Sequence, residues 1–153
     1  MPPELFLKYV ELNKSELSSK RVESYFNKMC NNFIPTLSQI VDISKYSNKL
    51  VYNADCFFIQ NDGKDIGFLA IYTNNYSEKI AFISSISIVP EYQGMGISQK
   101  LIDFSIEHAR KREMKYIKLE VNENNIKAIK LYKKKKFDIV LTDNNNLLMS
   151  RNI

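Results

Sequence analysis

A chain-stopping proline, two glycines and the start of an apolar helical pattern meet in Val89-Pro90-Glu91-Tyr92-Gln93-Gly94-Met95-Gly96-Ile97-Ser98-Gln99-Lys100. Where a strand ends and a helix begins, the first-turn amide N–H groups lack internal partners, and the helix dipole favours an anion. Glycines let that backbone come close to a phosphate with no side chain in the way. The chemistry such a loop offers is a cradle for a pyrophosphate. The competing reading is an ordinary strand-to-helix turn whose glycines serve geometry alone. Neither G-x-x-x-x-G-K-[ST] nor G-x-G-x-x-G is present, so nucleoside-triphosphate and dinucleotide readings lose support.

A second set of residues follows. Asn125 and Tyr132 are seven positions apart, nearly two helical turns, and so share one face, with the small Ala128 close to the same stripe. Glu120 stands on the polar face of an alternating segment, five residues before Asn125. It is a candidate base and equally a solvated strand carboxylate; Glu78 and Glu91 rank below it. His108, the only histidine, reads as a surface or boundary residue. With two distant cysteines, Cys30 and Cys56, it makes no metal site. Lys133–Lys136 point around most of a helix and read either as a solvated face or as contacts for a phosphate.

Regular elements must hold these residues. Apolar spacing predicts helices over Ser15–Asn31 (Leu17, Val22, Tyr25, Phe26, Met29), around Thr36–Ile40 and over Ser44–Asn53, after a short strand near Phe6–Leu12. Asp55–Gln60 and Asp65–Thr73 form a hairpin through Asn61-Asp62-Gly63-Lys64. Ile80–Val89 is a strand long enough to be central, and Ile97–Arg112 a helix on Ile97, Leu101, Phe104, Ile106 and Ala109. In Lys115–Asn122, Ile117, Leu119 and Val121 alternate with Lys118, Glu120 and Asn122, the period of a strand. Asn124–Lys136 is a helix, Phe137–Leu141 a strand, Asp143–Asn146 a turn and Leu147–Ser150 a last short strand. The fold class is α/β.

The bulk numbers set bounds. A chain of 153 residues, 44% hydrophobic and 25% charged, fits one globular domain without staples. Two cysteines outside any C-x-x-C pair read as reduced thiols. The most apolar stretch, Ile80–Val89, contains three serines and is too short to span a bilayer. No apolar leader follows basic residues, so the expected location is cytoplasmic. The net charge of +5 is a lysine-rich surface or a means of steering an anionic ligand.

The loop resembles motif A of the GCN5-related N-acetyltransferases (GNAT family), [Q/R]-x-x-G-x-[G/A], here Gln93-Gly94-Met95-Gly96-Ile97-Ser98, with serine at the last position. The family's N-x-x-A-x-x-L-Y-x-K-x-G-F reads here as Asn125-Ile126-Lys127-Ala128-Ile129-Lys130-Leu131-Tyr132-Lys133-Lys134-Lys135-Lys136-Phe137. Lys136 replaces the glycine that usually ends the helix in a left-handed conformation. The resemblance implies the GNAT acyl-CoA N-acyltransferase fold, a mixed central sheet of six to seven strands flanked by helices. It implies a single domain, with residues 80–137 as the acetyl-CoA-binding core and residues 1–53 as a mostly helical acceptor side. It implies acetyl-CoA as co-substrate, with no metal, and direct transfer of the acetyl group to a primary amine. Ile86, Ser87 and Ile88 would receive the pantetheine and acetyl group by backbone hydrogen bonds, one N–H serving as oxyanion donor. Gln93, Gly94, Met95, Gly96, Ile97, Ser98 and Gln99 would form the pyrophosphate loop, and Asn125 and Ala128 would line the cofactor. Tyr132 resembles the family's general acid, and Glu120, in Leu119-Glu120-Val121, a base that needs burial or a water relay.

Three functions compete: an N-acetyltransferase, a non-catalytic module of the same fold that binds or senses coenzyme A, and a nucleic-acid binder using the lysine run. The third lacks a groove-reading motif, and Glu120, Asn125 and Tyr132 together favour the first. The acceptor reading leans to an amino-sugar, from a faint resemblance of Phe33–Leu50 to members associated with polysaccharide biosynthesis; a protein N-terminus stays open. A small-molecule amine is the expected partner, with no nucleic acid and no membrane. The resemblance also admits a homodimer, since many family members are dimers.

Overall fold

The structure, a computed structural model, describes residues 5–153. β1 (Leu7–Glu11) leads to α1 (Glu16–Met29), where Ser15 is the N-cap and its hydroxyl accepts from the Ser18 N–H at 3.1 Å. Helical spacing turns Val22, Tyr25, Phe26 and Met29 inward. Leu17, expected on that stripe, is 81% exposed. Five residues from Val22, it lies about 140° around the helix at 3.6 residues per turn. A one-turn α2 (Leu37–Ile40) follows, then α3 (Ile43–Asn53), capped by the Asp42 carboxylate on the Lys45 N–H at 3.0 Å.

β2 (Asp55–Asn61) and β3 (Lys64–Asn75) flank Asp62 and Gly63, whose φ values of 52° and 75° mark a tight reversal of the kind the sequence signals. Phe58 and Phe68 from these strands meet Tyr25 and Phe26 of α1, with ring centroids 5.1 Å apart for Phe58–Phe68 and 5.3 Å for Phe26–Phe68. Edge-on and tilted contacts of this kind add to the burial of the rings.

β4 (Ile80–Ile88) ends at Val89-Pro90, and a 3₁₀ turn and the glycine loop lead into α4 (Ile97–Lys111), β5 (Tyr116–Asn122) and α5 (Ile126–Lys134). β6 (Asp138–Asp143) and β7 (Asn146–Asn152) turn at Asn144 and Asn145, both at positive φ. The seven strands form a mixed sheet in the order β1-β2-β3-β4-β5-β7-β6. Ile80–Ile83 of β4 pair in parallel with Tyr116–Leu119 of β5, the crossover being α4. β7 is longer than the expected Leu147–Ser150. It pairs antiparallel with β5 from Tyr116↔Asn152 to Asn122↔Asn146, which inserts it between β5 and β6. The mixed sheet of six to seven strands flanked by helices is thus present, with seven.

Both later helices close in the same way. The Met114 N–H reaches the Ala109 carbonyl and the Glu113 N–H the Arg110 carbonyl; likewise the Phe137 N–H reaches Tyr132 and the Lys136 N–H reaches Lys133. These are Schellman closures, and they place Glu113 and Lys136 at φ 63° and 70°, where glycine is usual. Lys136 therefore adopts the left-handed conformation its motif assigns to glycine.

Two compact units make up the described chain. One contains the described residues up to Ala70 with Ser85–Ser98, and the other Ile71–Ser84 with Gln99–Ile153. Phe26, Leu50, Phe58 and Phe68 centre the core of the first; Leu101, Ile102, Ile117, Phe137 and Met149 centre that of the second.

Candidate functional site

In the first unit, the end of β4 is held closely. The Val89 N–H donates to the Ile66 carbonyl of β3 at 2.9 Å. Alternate residues of an extended strand present their backbone groups to the same edge. Those of Ser87 therefore face β3, while those of Ile86 and Ile88 face the other edge. Gly67 permits the close approach: a Cβ there would come within 2.7 Å of Ile88 Cδ1 and 3.0 Å of the Ser87 carbonyl oxygen. Gln93 folds back so that its side-chain amide donates to the Ile88 carbonyl at 3.0 Å, and its backbone N–H donates to Pro90. Gln93 thus braces the loop against the strand.

Beyond Gln93 the backbone opens. Gly94 and Gly96 lie at φ 80° and 79°, and a Cβ on either would meet nothing within 4 Å. These glycines serve conformation rather than packing. The N–H groups of Gly94, Met95 and Gly96 have no partner among the described residues. Met95 is exposed, Ile97 buries its side chain and anchors the helix start, and Ser98 and Gln99 are half-buried in the first turn of α4. Unpaired amides running into a helix N-terminus suit an anion.

No local pattern points to the group beside Ser87. The Tyr25 phenol of α1 lies 2.8 Å from Ser87 Oγ. Burial raises its pKa well above the ordinary phenol value, against the smaller lowering effect of the Ser87 bond. Sixty-two positions separate the pair, so only the fold brings it together.

In the second unit, Asn125 is the N-cap of α5, its side-chain oxygen accepting from the Ala128 N–H at 3.3 Å. Ala128 is half-buried. Tyr132 is buried, and burial pushes its phenol up to about 12. Its ring lies 6.0 Å from that of Phe137, the contact that commonly accompanies a Schellman closure. Glu120 is exposed on β5, in register with Leu148 of β7. Of the lysine run, Lys135 is tied to Asp103 of α4 at 2.9 Å. Among the described residues no group of three potential metal ligands occurs, and no helix is long and apolar enough to cross a membrane.

The sequence model of the Acetyltransferase (GNAT) family matches residues 22–137. The chain belongs to this family. An uncharacterised N-acetyltransferase of Archaeoglobus fulgidus is 35% identical over 46% of this chain and 51% of its own. Another from Methanocaldococcus jannaschii is 36% identical over 55% of this chain and 39% of its own. The chain thus spans about half or less of the length of the curated relatives it matches. Among solved structures, a GNAT family acetyltransferase from Elizabethkingia anophelis with acetyl-CoA bound superposes with a TM-score of 0.71 at 13% identity, covering 96% of this chain and 98% of that one. That likeness is one of fold.

Proposed function

We propose that this chain, working as a single domain, moves the acetyl group of acetyl-CoA onto a primary amine by direct attack. The observation that carries the reading is the loop after β4, where unpartnered amides at Gly94, Met95 and Gly96 run into the first turn of α4. In a member of an acetyltransferase family, the diphosphate that suits them is that of coenzyme A, and the acetyl-CoA bound to the Elizabethkingia relative supports this choice. The amides of residues 94–99 grip the diphosphate, with Gln93 bracing the loop. Ile86 and Ile88, whose backbone groups face away from β3, receive the pantetheine and the thioester. An N–H there stabilises the oxyanion. Asn125 and Ala128 of α5 are the residues that the second motif assigns to the cofactor.

The amine nitrogen bonds to the thioester carbonyl carbon, the carbon–sulfur bond breaks, and the sulfur leaves as a thiolate. The proton lost by the amine goes to Glu120; because that carboxylate is exposed, the path runs through water. Tyr132 donates to the departing sulfur. Its phenol, held at about 12, stays protonated at neutral pH. Complete transfer to a free thiolate of pKa about 8.5 would cost about 5 kcal/mol, so its main contribution is a hydrogen bond that strengthens as negative charge builds on sulfur.

The acceptor is a small-molecule amine, an amino-sugar being the first candidate. The chain is cytoplasmic, a homodimer is compatible with the reading, and neither nucleic acid nor membrane takes part. Release of free thiol from acetyl-CoA, followed against amino-sugars, polyamines, aminoglycosides and peptide N-termini, tests the proposal. Turnover of an amino-sugar supports it in full. Turnover of peptides alone replaces the acceptor and leaves the chemistry. Tight binding of acetyl-CoA without turnover of any amine would favour a sensing module.

A further inference from the structure

We infer that Tyr25 is a positioning residue for the acyl end of the bound cofactor, setting the Ser87 hydroxyl as a hydrogen-bond donor to the acyl carbonyl oxygen. The inference rests on the reading that acyl-CoA lies along the end of β4.

Tyr25 is 7% exposed, and its ring packs among Phe26, Phe58 and Phe68. Packing of that kind needs no hydroxyl, and a buried hydroxyl costs stability unless it is bonded. The phenol meets two acceptors, both on Ser87: Oγ at 2.8 Å and the backbone oxygen at 3.5 Å. The first is at the usual O–H···O distance, the second well beyond it. Either hydroxyl can be the donor of the 2.8 Å bond; in the inferred arrangement Tyr25 donates to Ser87 Oγ. A serine hydroxyl that accepts on one lone pair keeps its own proton for another partner, and Ser87 has none besides Tyr25 among the described residues. Ser87 is half-buried, so a ligand can reach it.

The surrounding backbone limits where that proton points. Val89 is bonded to Ile66, Ile88 to the Gln93 side chain, and Gly67 brings β3 up against the Ser87 carbonyl. On either side of Ser87, Ile86 and Ile88 offer the strand edge assigned to the thioester. A fixed donor beside a thioester suits its one good acceptor, the acyl oxygen. Free coenzyme A has no such atom, so the device separates acetyl-CoA from its own product.

The test needs no acceptor. Dissociation constants for acetyl-CoA and for coenzyme A are measured by titration calorimetry on the wild type, Tyr25→Phe, Ser87→Ala, Ser87→Thr and the double variant Tyr25→Phe/Ser87→Ala, with melting temperatures alongside. Tyr25→Phe and Ser87→Ala should each weaken acetyl-CoA by about five- to tenfold and leave coenzyme A unchanged. Ser87→Thr keeps the preference for acetyl-CoA, and the double variant is no worse than either single one. A purely structural role would lower the melting temperature and weaken both ligands alike; that result, or no change in either affinity, overturns the inference while leaving the loop reading intact. A wild type that binds neither ligand overturns both.

Discussion

Lys136→Gly should make this protein more stable. Lys136 stands at φ 70°, the left-handed closure of α5, and among the described residues its exposed side chain has no hydrogen bond or ion pair that the change would remove. An L-residue pays roughly 1–2 kcal/mol to sit there. Glycine removes that cost but adds freedom to the unfolded chain, worth about 0.4–1 kcal/mol in the opposite direction. Taking the middle of each range leaves a gain of about 0.8 kcal/mol. For a domain of this size that raises the melting temperature by about 2–3 °C. Calorimetry on Lys136→Gly reads it directly. Lys133→Gly, within the same helix, is the control and should lose about 1 kcal/mol. If Lys136→Gly melts at or below the wild-type temperature, the left-handed strain argued from the helix end is wrong.

Gly96→Ala strains a residue at φ 79° that has open space around it; the expected outcome is a melting temperature lower by a few degrees and at least tenfold weaker binding of coenzyme A by calorimetry. Unchanged affinity would remove the loop from the site. Tyr132→Phe should lower kcat on the order of a hundredfold and leave the KM for acetyl-CoA nearly unchanged; equal turnover by the two proteins would rule out the phenol as donor to sulfur. Burial raises both the Cys56 thiol, from 9.0 to about 12, and the Tyr132 phenol, from 10.0 to about 12. Each contributes stability that is complete below its unfolded value and is lost as pH climbs through the folded one. The urea midpoint should therefore decline between about pH 9 and 12 on account of these groups, and Cys56→Ala should shallow the first part of that decline.

Much of the site's framework was legible because it is local. The strand–loop–helix order at Val89–Lys100 is written in one proline, two glycines and an apolar stripe, and the glycines do adopt the φ values that type of turn needs. The alternation in Tyr116–Asn122 likewise appears as buried Ile117, Leu119 and Val121. Element ends were less legible, because capping decides them: Asn125 caps α5 and shortens the expected helix to Ile126–Lys134. The position of β7 between β5 and β6 is a pairing choice that no local pattern encodes. The Tyr25–Ser87 bond was invisible for the same reason, since Tyr25 reads in sequence only as one more apolar position of a helix. Gln93, read as part of the phosphate loop, turns out to spend its side chain on the Ile88 carbonyl.

The proposed chemistry requires the backbone of residues 94–99 to hold a diphosphate. Amide NMR spectra of the labelled protein, recorded while acetyl-CoA is added and again with pantetheine, which lacks the diphosphate, address it residue by residue. The amides of Gly94, Met95, Gly96 and Ser98 should move strongly with acetyl-CoA and little with pantetheine. If they stay in place when acetyl-CoA saturates the protein, the loop is only a turn and the proposed site lies elsewhere.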